Sequence, residues 1–173
     1  LTYEADTRSD DVIKENFYDQ AKLLHPFIDF FYFDVLSSVR EFKLAIEAIK
    51  NFNKPYLVGA HISEGVKLPS GESISEIFTT IDHKNLLGII LSCVSPENYE
   101  QNLTELKSLG IPFGFKLNGF ITTNPDKGYT NNFNKSKTGN PNEFLGHRED
   151  LIPEKMALIV KKFKEAGATI LGG

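Results

Sequence analysis

The chain holds 173 residues, 40% of them hydrophobic and 24% charged, enough for one packed core and short for two domains. A net charge of -4 and a pI near 5.6 give no broad electropositive surface, which argues against nucleic acid as a partner. The single cysteine, Cys93, excludes an internal disulfide framework and fits a reducing, cytoplasmic setting. No run approaches the ~20 apolar residues that cross a bilayer, and Leu1 to Asp6 lacks the basic flank and apolar run of a signal peptide.

A helix is predicted from Asp11 to Leu24. The first apolar run follows, Asp29 to Val35, and leads into a helix over Ser38 to Asn51 with Phe42, Ala45, Ile46 and Ile49 on one face. Ser37 or Ser38 suits the N-cap of that helix, with Glu41 in its first turn. The second run is Pro55 to Ile62, followed by a Gly- and Pro-containing loop, Ser63 to Gly71, and a helix from about Ile74. The third, Leu87 to Cys93, is nearly all apolar, as a strand covered on both faces should be. It feeds a helix from Glu97 to Leu109, with Gly110 as its stop. The fourth run is Pro112 to Gly119. The fifth, Ala168 to Gly173, follows a helix from Pro153 to Ala166, on which Lys161, Lys162, Lys164 and Glu165 form a solvated face. Fourteen Phe and no Trp predict a core of medium-sized aromatics.

Alternating strands and helices predict a parallel sheet. No Gly-rich phosphate fingerprint follows any strand, so a nucleotide-binding open sheet is disfavoured. Polar residues recur instead at the carboxy ends of strands: Asp34, His61, Cys93, and the pair Lys116 and Asn118. Barrel enzymes keep their chemistry there. The fold expected is therefore α/β, a (β/α)8 TIM-type barrel. A full barrel takes roughly 250 residues. Only about the last five strand–helix units are thus expected here, with the other strands upstream of Leu1. Residues 1–173 read as a single domain. Within it, 121–149 is rich in Asn, Gly, Lys and Thr, and reads as a long loop or a lid over the barrel mouth.

Each polar strand end has two readings. Cys93 is a metal ligand or a small buried apolar residue, and no CxxC or HExxH spacing supports the first. Lys116 is a Schiff-base amine or a strand-end lysine reaching solvent. Asp34 shares its face with Tyr32, and either binds an ammonium group or caps the next helix. His61 reads as a hydrogen-bonded structural histidine. His25, His83 and His147 carry no assignment.

The order of these strand ends resembles the homocysteine S-methyltransferase family, which includes betaine–homocysteine methyltransferases, and the resemblance runs from about Tyr3 to Gly173. Asp29 to Val35 corresponds to the family's strand with an aspartate, apolar residues and Glu-Thr; Ser70-Gly71 to its Ser-Gly loop. Leu91 to Pro96 corresponds to its asparagine–cysteine strand end, Lys116 to Gly119 to an altered Pro-Asn-x-Gly element, and Gly167 to Gly173 to its Gly-Ala-to-Gly-Gly ending. The resemblance implies that three thiolates hold zinc while the substrate sulfur takes the open position. It makes Cys93 the first ligand and places two further cysteines after Gly173. Asp34, Asn118, Gly172 and Gly173 become substrate-binding residues, with Asp34 standing where the family has an ammonium-binding glutamate. Three departures stand out: Asp34 is a methylene shorter, Ser92 replaces an asparagine, and Lys116 replaces a proline.

The resemblance implies a methyltransferase of methionine biosynthesis, with homocysteine, a small methyl donor and zinc as its partners in the intact protein. No catalytic residue beyond the metal site is expected, the 173-residue chain alone is expected to be inactive and metal-poor, and homo-oligomerisation stays open. Two rivals remain: a non-catalytic barrel that binds an amino acid or thiol, and a Schiff-base lyase or aldolase using Lys116. The methyl donor is not legible in the sequence.

Overall fold

The computed structural model describes residues 5–62, 64–121 and 145–173. Five strands form one parallel sheet: β1 (Phe31–Leu36), β2 (Tyr56–Ala60), β3 (Leu86–Val94), β4 (Phe113–Leu117) and β5 (Ile170–Gly172). Their spatial order is their order in the chain. An open doubly wound sheet reverses its strand order at a switch point; this one advances a single position at every crossover. Right-handed crossovers in such an order carry all connecting helices to one face.

Those helices are α2 (Val39–Ile49), α3 (Ile74–Thr80), α4 (Pro96–Ser108) and α5 (Pro153–Glu165), with α1 (Asp10–Leu24) preceding β1. Their ends follow local chemistry. Ser38, Ser73 and Ser95 each accept a hydrogen bond from the backbone three residues on, and Ser73 with Glu76 completes a capping box. Pro96 and Pro153 occupy first turns, where a missing N–H costs nothing. Gly110, at φ 68°, supplies the left-handed residue after α4. Because Ser38 caps α2, Asp34 is left out of the cap. The segment 122–144, most of the predicted loop or lid, lies outside the described residues.

The helix-side core is one cluster. Phe31, Phe33, Val58, Ala60, Ile89, Leu91, Phe113 and Phe115 from the strands meet Phe42, Ala45, Ile49, Ile74, Ile77, Tyr99, Leu106 and Phe163 from the helices. Tyr99, Phe115 and Phe163 pack edge to face, with ring centroids 4.7 to 5.7 Å apart. That places the predicted aromatic core, and it takes the odd-numbered residues of β1, β3 and β4.

The even-numbered residues of those strands face the other way. In register they are Tyr32 beside Leu57, Gly88 beside Leu57, Ile90 beside Gly59 and Gly114, Ser92 beside Lys116, and Lys116 beside Gly172. This second face is concave. Neighbouring strands lie ~4.8 Å apart, so β1 and β4 are separated by about 14 Å across a flat sheet. Side chains standing perpendicular to a flat sheet would keep that separation. Yet Lys116 Nζ on β4 touches Asp34 Oδ2 on β1 at 2.5 Å. Curvature toward this face brings the two together. Among the described residues no helix is long and apolar enough to cross a membrane.

Candidate functional site

Two bulges build the carboxy-terminal rim of the concave face. On β1, Phe33 pairs with Val58 and Leu36 with Ala60, so Asp34 and Val35 together oppose Gly59. On β3, Ser92 pairs with Lys116 and Val94 with Leu117, which leaves Cys93 as the extra residue. The extra residue in each case has left-handed backbone: Val35 at φ 60° and Cys93 at φ 59°. Such a conformation is costly for non-glycine residues, most of all for β-branched valine. Bulges re-aim side chains. Strict alternation would put Cys93 on the face of Ile89 and Leu91, both fully buried in the helix-side core. The bulge returns Val94 to that core instead and leaves Cys93 half-buried at the rim.

Asn118 lies just past β4, with its backbone N–H donating to Val94 O at 3.0 Å. Its amide orientation is fixed at both ends: Oδ1 accepts from Phe120 N at 3.1 Å, and Nδ2 donates to Cys93 Sγ at 3.7 Å. Burial pushes the Cys93 thiol up from its ordinary value. The Asn118 amide and the Lys116 charge pull it down, and the Asp34 charge adds to the rise.

Asp34 is engaged at both oxygens. Tyr32 Oη donates to Oδ1 at 2.7 Å, and Lys116 Nζ donates to Oδ2 at 2.5 Å. Tyr32 Oη also lies 2.5 Å from Ser92 Oγ on β3. Since the single phenol proton goes to Asp34, Ser92 is the donor in that contact. The link passes directly over Gly59 on β2. A Cβ there would lie 2.6 Å from Ser92 Oγ, 2.7 Å from the Tyr32 ring and 2.8 Å from Phe33 O. Glycine at position 59 is what lets β1 reach β3. Burial raises the Tyr32 phenol far above its ordinary value, so the hydroxyl stays protonated.

The remaining strand-end residues fall elsewhere. His61, one residue past β2, is 1% exposed; its Nδ1 lies 3.4 Å from Ser37 Oγ and its backbone N–H donates to Leu36 O. Burial depresses its pKa to about 4, which makes it a neutral structural group at neutral pH. Gly172 pairs with Lys116 on the exposed final strand, and a Cβ on it would lie 3.3 Å from Phe115 O; Gly173 follows. Ser70 of the predicted Ser-Gly loop donates to Ser37 O at 2.9 Å, tying the loop after β2 to that after β1. Lys116 is two-fifths exposed and paired with a carboxylate, unlike the desolvated lysine that a Schiff-base enzyme needs.

The rim thus gathers Asp34, Cys93, Lys116 and Asn118. Tyr32 and Gly59 form the site as well, beyond what the sequence predicts. The i, i+2 spacing of Tyr32 and Asp34 is visible in the sequence; the reach to Ser92 depends on strand register, which is not. One thiol suits zinc in donor type, but a catalytic zinc ion takes three protein ligands. Among the described residues no group of three His, Cys, Asp or Glu is placed to hold a metal ion. They supply one ligand and not the set.

The crystal structure of the homocysteine methyltransferase MmuM from Escherichia coli, apo form, shares this fold with a TM-score of 0.68 at 14% identity, over 96% of this chain and 52% of that one. Its oxidized form gives 0.61 at 15% identity, over 99% and 50%. The chain therefore spans about half the length of these solved structures. No curated protein matches it in sequence. The homocysteine S-methyltransferase family model matches residues 2–173, almost the entire sequence, with the five-stranded parallel sheet and the Cys93 rim inside the match. The chain belongs to the homocysteine S-methyltransferase family.

Proposed function

We propose that the intact protein transfers a methyl group to the thiol of homocysteine, giving methionine, and that the rim of Asp34, Cys93 and Asn118 is part of its substrate site. The observation that carries this reading is the bulge at Cys93. It turns the only thiol of the chain from the core to the concave rim, close enough to the Asp34–Lys116 pair to feel both charges. A fold needs no left-handed cysteine at that position, and strain of this kind gathers at functional sites. The five units form part of a (β/α)8 barrel in this reading, with the rim at its mouth.

Each residue has a task within the same proposal. Asp34 takes the ammonium group of the amino acid, held in place by the Tyr32 hydroxyl. The Asn118 amide, locked by Phe120 N, aims a hydrogen-bond donor at sulfur. Gly172 and Gly173 leave room for close approach of the substrate to the backbone. Cys93 is one of three zinc thiolates, the other two being the cysteines that the family resemblance places after Gly173. Zinc, when bound, keeps a substrate thiol deprotonated near neutral pH, where a free thiol of pKa ~8.5 is mostly protonated. Thiolates that must stay reduced to hold zinc suit the reducing cytoplasm.

Elemental analysis of the full-length protein, purified under reducing conditions, tests the metal half of this reading. One zinc per chain, lost on Cys93→Ser, is the expected result. No zinc in either protein after metal is supplied would leave a thiol-binding barrel without the reaction.

A further inference from the structure

We propose that Lys116 sets the ligand preference of the site, acting as a built-in ammonium that occupies Asp34 and must be displaced by any substrate ammonium. The inference rests on the rim being a thiol-substrate site and adds to that reading a residue which discriminates among thiols. Its basis is occupancy. Asp34 has two oxygens; Tyr32 Oη holds Oδ1 at 2.7 Å and Lys116 Nζ holds Oδ2 at 2.5 Å. The carboxylate that would greet an incoming ammonium thus already carries a donor on each oxygen, and one of the two is itself an ammonium.

The pair also cancels the local charge. A lone carboxylate on the concave face attracts cations, whereas Asp34 with Lys116 sums to zero at short range. Lys116 reaches Asp34 from β4, three strands away, and its strand neighbours Ser92 and Gly172 offer it no second anion. Both members are more than one-third exposed, so water screens the pair and it can be opened. Competition of this kind weakens an ammonium-bearing ligand by a modest factor and leaves a ligand without an ammonium untouched. Thiols lacking the amino group, such as mercaptocarboxylates, gain relative to amino-acid thiols.

The test is direct binding to the full-length protein without methyl donor, using homocysteine, 3-mercaptopropylamine and 4-mercaptobutyrate. Lys116→Met, with Lys116→Gln beside it as a polar control, should tighten homocysteine and 3-mercaptopropylamine about three- to fivefold, the range that loss of an exposed ion pair allows. 4-Mercaptobutyrate should hold constant or weaken, and Lys116→Arg should behave as wild type. A merely structural clamp between β1 and β4 would shift all three ligands together. Joint weakening of homocysteine and 4-mercaptobutyrate in Lys116→Met would overturn the proposal, since Lys116 would then be gripping the carboxylate. Unchanged affinities for all three would overturn it too. Failure of every variant to bind any of the thiols would instead remove the substrate-site reading, and this inference with it.

Discussion

The two faces of the sheet are made by the same strands and obey different rules. Toward the helices, residues such as Val58, Ile89, Leu91 and Phe115 are 0 to 1% exposed, regular in register and apolar throughout. Toward the concave side, Leu57 and Ile90 give way to glycine and polar groups at the strand ends, where β1 and β3 bulge. One face is filled by side chains that replace water; on the other, Gly59 clears the path from Tyr32 to Ser92, and Asp34 and Lys116 meet from β1 and β4. Apolar packing and the polar rim are thereby separated by a period of two residues.

Substitutions on the two faces should separate in the same way. The largest effect on folding belongs to the helix side. Phe115→Ala removes a ring packed against Tyr99 and Phe163, and should cost about 3–5 kcal/mol by denaturant titration. A loss below about 1 kcal/mol, typical of the surface, would break the distinction.

Next comes the buried His61, at the boundary of the two faces. Its folded pKa of about 4 lies below the ordinary 6.5, so the unfolded state binds the extra proton between those values. Stability is complete above about pH 6.5 and falls as pH drops toward 4, by on the order of 3 kcal/mol. His61→Gln should flatten that part of the stability–pH curve, measured by urea midpoints across the window.

The smallest of the three effects is on the concave face. Gly59→Ala puts a Cβ against Ser92 Oγ, the Tyr32 ring and Phe33 O, an overpacking of about 1–3 kcal/mol. Part of it should be recovered in Gly59→Ala with Tyr32→Ala, since the tyrosine is then gone and the backbone contact remains. Full additivity of the two costs would show that Tyr32 does not cross Gly59.

Much of this is legible in the sequence, and the rest is not for identifiable reasons. The strand–helix order, the Ser38 cap and the Gly110 stop follow from periodicity and capping chemistry, and each holds within a residue or two. Simple alternation puts Asp34 on the face of Tyr32. Alternation misleads at Cys93: counting by twos from Ile89 sends the thiol into the core, and only the bulge reverses it. A bulge is a register event between two strands, invisible in the sequence of one. The contacts from Lys116 to Asp34 and from Tyr32 to Ser92 are likewise products of curvature and register, spanning 82 and 60 residues.

In the proposed function Cys93 serves chemistry and not packing. The most direct measurement sets methionine formation by the full-length protein, with homocysteine and a panel of sulfonium and quaternary ammonium donors, beside the thermal midpoint, in wild type and Cys93→Ser. Turnover in the wild type, its loss in Cys93→Ser, and, with metal chelated from both proteins so that zinc linkage does not enter, a midpoint unmoved by the exchange of a half-buried sulfur for oxygen are the expected results. Retained turnover with a lowered midpoint would contradict that role, and would return Cys93 to the core.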